Sequence, residues 1–409
     1  MSSAALSTVA PDSPELADTA AAWRSAYVHI PFCRRRCPYC DFAVVTPEEG
    51  GTAPTVDRYV AAVAAEIAGA EPWRPLDAVN FGGGTPSSTA PGDITRLIRA
   101  LRDRFGLAGA AEVSLEANPE DWSDEIGAAY LDGGVTRVTL GVQSLDDGVL
   151  GSLGRVHVGE QAVSAVASAR RSGVPSVGID LMYGAPGESL DSWRATVTKA
   201  LALGVDHVSA YALTVEPGTA LASAVTAGAP GPDPDDQADK YELFDALAAG
   251  AGLIRYEVSN WARPGHVCRY NLSTWAQGEY AAFGLGAHGH RGGRRTRNAR
   301  VLDVYLDRVE SASSPQVAVE EVAGWSREQE RLMVGLRRAA GVVAGWGGEI
   351  LAGSEEGKRL IAAGVLELRA GRLVVSRPLL TDEVVRAVLA LKEPQGGGRA
   401  WLSLSPRDC

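Results

Sequence analysis

Short apolar runs alternate with longer amphipathic stretches through the first half of the 409-residue chain. An apolar run of about four to eight residues suits a strand buried on both faces, and the intervening stretches carry helical spacing. Repeated strand–helix units predict a parallel sheet, because parallel neighbours need a crossover connection that a helix supplies. The six predicted strands are Tyr27–Ile30, Ala78–Phe81, Glu112–Ala117, Arg137–Gly141, Ser176–Leu181 and His207–Leu213.

The stretches between these runs predict helices that cover the sheet. The second of them places Ile94, Leu97, Ile98 and Leu101 on one face. Six units are fewer than the eight that close a full barrel. The predicted fold is therefore α/β, a partial (β/α)6 TIM-like barrel with a lateral gap. The predicted helices are Asp57–Ala68, Asp93–Phe105, Ser123–Leu131, Gln161–Arg171 and Leu190–Leu203.

Each predicted strand ends in residues that can do chemistry. The active sites of parallel barrels gather at the carboxyl ends of the strands, so these residues predict one functional rim. The glycines after the second strand can adopt backbone angles forbidden to other residues and allow a ligand to approach main-chain N–H groups. In strand order, the rim carries the cysteine loop after Ile30, the turn Gly82-Gly83-Gly84-Thr85-Pro86, Glu116, Gln143, Asp180 and Tyr211.

Three of the five cysteines lie within eight residues in a C-x₃-C-x₂-C run, Cys33, Cys37 and Cys40. Iron–sulfur clusters usually take four cysteines, so a [4Fe-4S] cluster held here would keep one iron free for another ligand. Two alternatives remain open. One is a zinc site completed by Cys268 or a histidine, although zinc sites usually combine a C-x₂₋₄-C pair with a second, distant pair of ligands. The other is that the three thiols are unrelated.

The cysteine run and its flanking residues resemble the radical S-adenosylmethionine (SAM) enzymes. The flanks are Tyr27-Val28-His29-Ile30-Pro31-Phe32 before it and Asp41-Phe42 after it. More narrowly, the run is similar to the branch that contains anaerobic coproporphyrinogen oxidases and HemW-type haem chaperones. The resemblance implies that the amine and carboxylate of SAM chelate the free iron, and that SAM is cleaved reductively. The oxidases carry a further cysteine where this chain has Phe42, so the resemblance favours the HemW type.

The resemblance also implies which rim residues bind SAM. The Gly-rich turn matches the family motif that holds the amino group, here Gly83, Gly84 and Thr85. Sequence intervals match the SAM-binding positions of this branch at Tyr27, Glu116, Gln143, Arg155 and Asp180. Glu116 and Arg155 would bind the charged methionine end, since a guanidinium offers a planar fork to a carboxylate. Gln143 and Asp180 would bind the ribose.

The resemblance to HemW-type proteins extends over about residues 26–390, with one departure. In those proteins a segment reads H-N-x-x-Y-W, and its histidine is linked to haem binding. This chain has Tyr270 and Thr274 at the His and Tyr positions. Tyrosinate can ligate haem iron, so the candidate haem or substrate region comprises Tyr211, Tyr270 and His288. His266 and His290 are further candidates, and the five arginines between 291 and 300 could bind propionates or form a solvated basic face.

Changes in composition and periodicity along the chain predict its domain boundaries. Helical patterns followed by two short alternating strands predict a small helical, winged-helix-like domain at the C-terminal end, acting as a lid or docking module. The ranges are 1–22 for a disordered N-terminal tail, 23–230 for the partial barrel, 231–322 for a HemW-like extension closing the barrel, 323–392 for the small domain and 393–409 for a second disordered tail.

The formal net charge is −11, which argues against a nucleic-acid partner bound through general electrostatics. The chain contains no apolar run of about 18 residues, so no membrane span is predicted. An odd number of cysteines, three of them in a ligand-like cluster, predicts a reducing compartment, the cytoplasm.

Three functions fit these observations. The first is a HemW-type haem chaperone, which needs SAM, an electron donor for the cluster, haem and an acceptor protein of unknown identity. The second is a radical SAM methyltransferase or cyclopropanase that uses two SAM molecules on a small-molecule substrate. The third is a zinc-stapled binding protein without redox chemistry. The missing cysteine at Phe42 argues against coproporphyrinogen oxidation, and no catalytic residue is assigned.

Overall fold

The computed structural model describes residues 9–393, and its central feature is a sheet in which six parallel strands are neighbours in sequence order. All six predicted strands are confirmed, with bounds that extend the predicted ones at most positions. Val28 and Ile30 point toward the helical layer and are fully buried, whereas Tyr27 and His29 alternate with them and point to the inner face. The strands are β1 Arg24–Ile30, β2 Leu76–Gly83, β3 Leu107–Ala117, β4 Arg137–Gln143, β5 Ser176–Tyr183 and β6 His207–Ala212.

Helices pack on the outer face of this sheet, as the strand–helix alternation predicts. The apolar face predicted for the second helix is confirmed, because Ile94, Leu97, Ile98 and Leu101 are all buried in the main core. The helices of the barrel region are α1 Pro14–Ala20, α2 Ala53–Gly69, α3 Pro91–Phe105, α4 Asp124–Asp132, α5 Asp147–Ser152, α6 Gly159–Arg171, α7 Leu190–Ala202, α8 Ala220–Thr226 and α9 Pro234–Gly250, with 3₁₀ turns at Pro47–Glu49, Pro86–Ser88 and Pro119–Asp121.

The region after α9 extends both edges of the sheet. β7 and β8 continue it beyond β6, and β9 pairs parallel to β1 on the other side. The sequence analysis missed β9 as a seventh parallel strand, because it spans only five residues, two of them alanines, which have low strand propensity. Antiparallel strands follow β9. The elements are β7 Ile254–Glu257, β8 Asn260–Ala262, α10 Arg269–Trp275, β9 Glu279–Phe283, β10 His288–Arg291, β11 Arg294–Asn298, α11 Leu302–Glu310 and β12 Gln316–Glu321.

A second, smaller core lies in the C-terminal part, where three short strands pair in the order β13-β15-β14. Helices pack on this sheet around Leu332, Leu351, Leu373 and Val384, all fully or almost fully buried. The elements are α12 Gly324–Gly335, β13 Val342–Val343, α13 Gly345–Gly353, α14 Glu355–Ala362, β14 Leu366–Arg369, β15 Arg372–Val375, a 3₁₀ turn Pro378–Leu380 and α15 Thr381–Ala390.

The expectation of a disordered N-terminal tail is wrong where the structure describes that segment. Ser13 caps α1 by accepting a hydrogen bond from the backbone N–H of Leu16, and Pro14 occupies the first turn. Leu16 and Ala20 bury themselves with Trp23 against Tyr256 and Leu272. The alanine-rich composition that suggested disorder instead supplies a helix with one apolar face. Residues 1–8, and all but the first residue of the predicted tail 393–409, lie outside the described range.

Within residues 9–393, no helix combines the length and the apolar character that crossing a bilayer requires.

Candidate cofactor site

The cysteine loop follows β1, and backbone hydrogen bonds join the segments at its two ends. The backbone N–H of Cys33 donates to the carbonyl of Val45 (3.2 Å), and that of Val45 donates to the carbonyl of Pro31 (2.8 Å). Cys33, Cys37 and Cys40 are free and half-buried. A cavity of about 420 Å³ borders Cys37 and Cys40. The loop therefore lies at the carboxyl end of β1, where Cys37 and Cys40 border one cavity and the Cys33 sulfur lies next to the Thr85 hydroxyl.

Thiols must ionise to bind metal, and their surroundings affect that step. Burial raises the pKa of Cys33 to about 11, although its sulfur lies 3.4 Å from the Thr85 hydroxyl, which can donate to a thiolate. No group of three His, Cys, Asp or Glu side chains within residues 9–393 converges tightly enough to hold a single ion. A cubane does not require that convergence, because each thiolate binds a different iron atom.

Cys268 does not belong to this loop, so the alternative in which it completes a zinc site is wrong. Its backbone N–H donates to the Tyr256 hydroxyl (3.4 Å), which hydrogen bonds the imidazole of His207 (2.8 Å), the first residue of β6. The neighbouring carbonyl of Val267 accepts from Arg137, the first residue of β4 (2.9 Å). Cys268 thus lies at the amino ends of the strands, across the barrel from Cys33.

The glycine turn after β2 is pressed against the cysteine loop. A Cβ on Gly84 would lie 2.6 Å from the backbone carbon of Pro31, and Gly83 has a φ of +110°, so neither position accepts a side chain without movement. The N–H groups of Gly84 and Thr85 donate to the carbonyls of Ile30 and Phe32, each at 2.8 Å. The expectation of free N–H groups is therefore wrong, and the turn offers carbonyl oxygens, which suit an ammonium group.

Two half-buried carboxyl groups interact on the inner face of the sheet, Glu116 on β3 next to this turn and Asp180 on β5. Glu116 accepts hydrogen bonds from the amide of Asn80 (3.3 Å) and the N–H of Gly83 (3.4 Å). Burial, and then the charge of Asp180, raise the pKa of Glu116 to about 7. Burial raises the pKa of Asp180 to about 6. A cationic ligand would stabilise both carboxylates, and Glu116, which contacts the glycine turn, fits the positive end of SAM.

Arg155 follows α5 and reaches back over the sheet. Its guanidinium donates to the side-chain oxygen of Asn118 (2.6 Å) and to the carbonyl of Gly141 (3.1 Å), and lies 3.8 Å from the sulfur of Cys37. Its Nε is buried without a hydrogen-bond partner, and no carboxylate within residues 9–393 forms an ion pair with it. A half-buried guanidinium with no carboxylate in direct contact fits the carboxylate of a ligand beside the cysteine loop.

Gln143, at the end of β4, has a strained backbone. Its φ is +62°, a region that costs non-glycine residues of order 1–3 kcal/mol. A register shift between Leu140 and Gln143 accompanies this conformation. The side-chain amide lies close to Gly141 and hence to the Arg155 guanidinium. The irregular strand end therefore turns the Gln143 side chain toward the group formed by Arg155 and Asn118.

Tyr27 connects the rim to an aromatic stack inside the barrel. Its hydroxyl lies 3.1 Å from His29 Nδ1, and His29 Nε2 lies 2.8 Å from the carbonyl of Ala43. Because a carbonyl only accepts, Nε2 carries the proton and Nδ1 accepts from Tyr27. The Tyr27 ring stacks on Tyr270 of α10 (5.9 Å between centroids, 22° between planes), and Tyr270 meets Tyr280 edge to face. Tyr270 thus lies next to the candidate SAM residues.

The other candidates for the haem or substrate region are dispersed. Tyr211 at the end of β6 is 38% exposed and lies near Asp180. His288 at the start of β10 is exposed. His290 is buried, and its Nδ1 lies 3.1 Å from the carbonyl of Gly278. His266 hydrogen bonds Ser176, the first residue of β5, and so lies at the opposite end of the barrel; it is wrong as a substitute ligand on the rim.

Three polar residues of the site received no role in the sequence analysis: His29, Asn80 and Asn118. Each orients a candidate SAM residue through a hydrogen bond, His29 to Tyr27, Asn80 to Glu116 and Asn118 to Arg155. The signal that could have identified them is alternation. His29 and Asn80 each lie between two buried apolar residues of a strand, His29 two positions after Tyr27 and Asn80 opposite Tyr27, which places them on the inner face with Tyr27.

The chain is similar to known proteins over most of its length. Residues 27–200 match the family model described as the radical SAM superfamily. The chain is 42% identical over 370 residues to "Heme chaperone HemW" of Mycobacterium tuberculosis, covering 89% of this chain and 94% of that protein. It is 34% identical over 327 residues to the protein of the same name from Bacillus subtilis, covering 78% and 84% respectively.

Two further similarities concern a mammalian protein and a solved structure. "Radical S-adenosyl methionine domain-containing protein 1, mitochondrial" of Mus musculus is 38% identical over 305 residues, covering 73% of this chain and 67% of that protein. The structure of coproporphyrinogen III oxidase (HemN) from Escherichia coli superposes with a TM-score of 0.76 at 21% identity, covering 91% of each chain. At that identity the likeness establishes the fold.

Proposed function

This chain belongs to the HemW-type proteins of the radical SAM superfamily, and from that premise we propose that it is a haem chaperone that passes haem to an acceptor protein. The observation that carries the proposal is the 42% identity to "Heme chaperone HemW" of Mycobacterium tuberculosis over 89% of this chain and 94% of that protein. The family implies a [4Fe-4S] cluster and SAM. Haem is the cargo in this proposal, and its acceptor and the electron donor for the cluster are separate partners.

Cys33, Cys37 and Cys40 hold the cluster in this proposal and leave one iron to the amine and carboxylate of SAM. The support is their common loop at the carboxyl end of β1, next to Thr85 and the cavity. When bound, the cluster supplies the electron for reductive cleavage of SAM. Because no disulfide engages these thiols, the loop suits a reducing compartment, and we place the protein in the cytoplasm.

In this proposal, Arg155 and Glu116 would hold the charged end of SAM. The guanidinium of Arg155, which no carboxylate contacts directly, would bind the carboxylate. The turn at Gly83, Gly84 and Thr85, together with Glu116, would bind the ammonium. Gln143 and Asp180 accept hydrogen bonds from the ribose, and Tyr27 closes the site from β1. The half-buried carboxyl groups support this arrangement, because a cationic ligand compensates charges that burial otherwise disfavours.

Anaerobic reconstitution followed by a haem titration tests the proposal. We expect saturable one-to-one binding, followed through the Soret band, and transfer of the bound haem to an added apo-haemoprotein. Metal-free coproporphyrin is the ligand control, since a chaperone for haem should select the iron porphyrin over it. An unsaturable Soret change that is equal for both porphyrins would contradict the chaperone function.

One observation favours a second candidate. Tyr270 occupies the position of the family's haem-linked histidine, and its ring is packed between Tyr27 and Tyr280, next to the proposed SAM site. A chain that has lost haem binding there could use SAM on a small molecule instead. Formation of S-adenosylhomocysteine in the absence of any haem binding would identify a methyltransferase.

A further inference from the structure

A basic surface lies on the inner face of the sheet extension, next to the proposed SAM site. In the antiparallel pair β10–β11, His288 lies opposite Arg297 and His290 lies opposite Arg295. Cross-strand partners share one face of a sheet, so these four side chains point the same way. Arg300 follows β11 and donates to the carbonyl of Asp41 in the cysteine loop (2.8 Å). The basic surface, comprising His288, Arg297 and Arg300, therefore borders the cluster loop.

The aromatic stack identifies this face as the interior of the barrel. The ring of His290 contacts Tyr280 edge to face (6.2 Å), Tyr280 contacts Tyr270, and Tyr270 stacks on Tyr27. His288 lies two residues before His290 and so on the same face. The β9 residue opposite Tyr27 is Ala282, so a small side chain lies between Tyr27 and β10 on this face. His288 is exposed on this face, whereas His290 is buried.

The cations of the basic surface lack anionic partners. The side chain of Arg297 forms no hydrogen bond and no ion pair within residues 9–393, and the one side-chain hydrogen bond of Arg300 there goes to a backbone carbonyl. Arg295, by contrast, is paired with Glu320 and Glu330. Two unpaired guanidinium groups that face an imidazole suit a ligand that carries carboxylates and a metal.

The imidazole of His288 is suited to bind iron. Burial, and then the guanidinium groups of Arg297, Arg300 and Arg295, lower the pKa of His288, which favours the neutral form that ligates metals. Tyr270 is poorly suited. Its ring is covered by Tyr27 and Tyr280, and burial raises the pKa of its hydroxyl well above the ordinary value, which disfavours tyrosinate.

We propose that His288 is the axial ligand of the haem iron in this chain, and that Arg297 and Arg300 bind the haem propionates. The proposal rests on the proposed function, since it specifies where the cargo binds. It moves the iron ligand from α10, where the resemblance to HemW-type proteins predicts it, to β10. Haem would then lie on the open inner face between the aromatic stack and the cysteine loop.

Ferric haem titrations of the full chain and four variants test this site. We expect His288→Ala to lose the Soret maximum of the wild-type complex, and free imidazole to restore it. Arg297→Ala removes one charge-assisted contact and should weaken haem binding roughly 10- to 100-fold. Arg294→Ala is the matched control, because Arg294 is exposed on the opposite face of β11 and should leave the affinity within about twofold. Tyr270→Phe should keep the wild-type Soret maximum.

The outcomes separate the two proposals. A wild-type protein that binds no haem removes the chaperone function and this site with it. A wild-type protein that binds haem, with an unchanged spectrum in His288→Ala, overturns the His288 site and leaves the chaperone function standing. Loss of the Soret maximum in Tyr270→Phe instead would assign the ligand to α10.

Discussion

Arg155 is a half-buried cation that forms no ion pair with a carboxylate in the described chain, and substituting it isolates the carboxylate-binding role. Arg155→Ala should weaken SAM binding about 10- to 100-fold, because charge-assisted hydrogen bonds contribute about 1.5–3 kcal/mol. Calorimetric titration of the reconstituted protein measures the affinity, and iron content should stay at the wild-type value. Arg171→Ala is the control, since Arg171 forms an exposed ion pair with Asp124. Unchanged SAM affinity would remove Arg155 from the site.

The raised pKa values of Glu116 (about 7) and Asp180 (about 6) predict that SAM affinity depends on pH. A cation binds the ionised carboxylates, so lowering the pH from 8 to 6 should weaken binding roughly tenfold through Glu116 alone, which is then about one-tenth ionised. Glu116→Gln should lose most of this dependence. Equal affinity of the wild type at both pH values would argue against a cation next to Glu116.

The pH dependence of folding stability that Glu116 causes runs opposite to that of cation binding: raising the pH strengthens binding but lowers the stability of the protein without ligand. In the folded protein without ligand, the pKa of Glu116 lies above its unfolded value of 4.5. The folded state therefore binds more protons between pH 4.5 and 7. The stabilising contribution of Glu116 is therefore fully present below about pH 4.5 and is lost as the pH rises through about 7. Ionised Glu116 thus destabilises the protein without ligand near neutral pH, and a bound cation would remove that cost.

At this scale the sequence predicts side-chain types better than orientations. The cysteine run, Glu116 and Arg155 are recognisable because their chemistry and spacing are distinctive. Two features depend on how neighbouring strands approach each other, and local sequence does not determine that. They are the strained backbone of Gln143 and the hydrogen-bonded N–H groups of the glycine turn. The supporting residues Asn80 and Asn118 are common strand and loop residues, and only the fold gives them partners.

The cysteine loop is the element whose integrity the cluster depends on. Cys37→Ser should prevent stable cluster assembly, because it removes one of three protein ligands. Iron and sulfide analysis with the brown absorbance of reconstituted protein measures this. Cys268→Ser is the matched control and should keep the cluster, since Cys268 lies at the amino ends of the strands. If Cys268→Ser lost the cluster and Cys37→Ser kept it, the assignment of the ligands would be wrong.

Elements with long periodic patterns are well predicted, and short ones are not. β1–β6 and the helices between them follow from alternating apolar runs, and their parallel order follows from the crossover rule. β9 and the antiparallel strands β10–β12 escaped prediction because each is short and rich in polar or small residues. Their pairing energy comes from the edge of an existing sheet, so tertiary contacts, and not local propensity, create them.

Helix α1 joins the barrel region to the C-terminal unit and gives the whole molecule a long-range contact. Arg338 donates to the carbonyl of Ala17 (2.8 Å), and Arg372 binds both carboxylate oxygens of Asp18 (2.8 and 2.9 Å). Leu16 is 2% exposed and packs with Tyr256 and Leu272. A segment that composition suggested to be disordered is thus part of the core, because its apolar face finds partners only in the assembled fold.

Leu16→Ala should therefore lower the free energy of unfolding by about 2–4 kcal/mol, as a large-to-small change in a packed core does. Urea unfolding measures the loss. The matched control is Leu389→Ala on α15, where the side chain is 54% exposed and the change should cost less than about 1 kcal/mol. Equal, small effects of both substitutions would mean that α1 does not pack as described.

The position of α1 also determines when the molecule can finish folding during synthesis. Its contacts with Arg338 and Arg372 span 321 and 354 residues of sequence. At about 5–20 residues per second, a ribosome needs roughly 15–65 s to supply the first of these partners. An isolated helix of seven residues is not stable in water, so α1 cannot pack until Tyr256 and Leu272 have been made, and it completes its contacts only after Arg338 and Arg372 follow. Although α1 precedes every strand of the sheet in the sequence, it is among the last elements to reach its final packing.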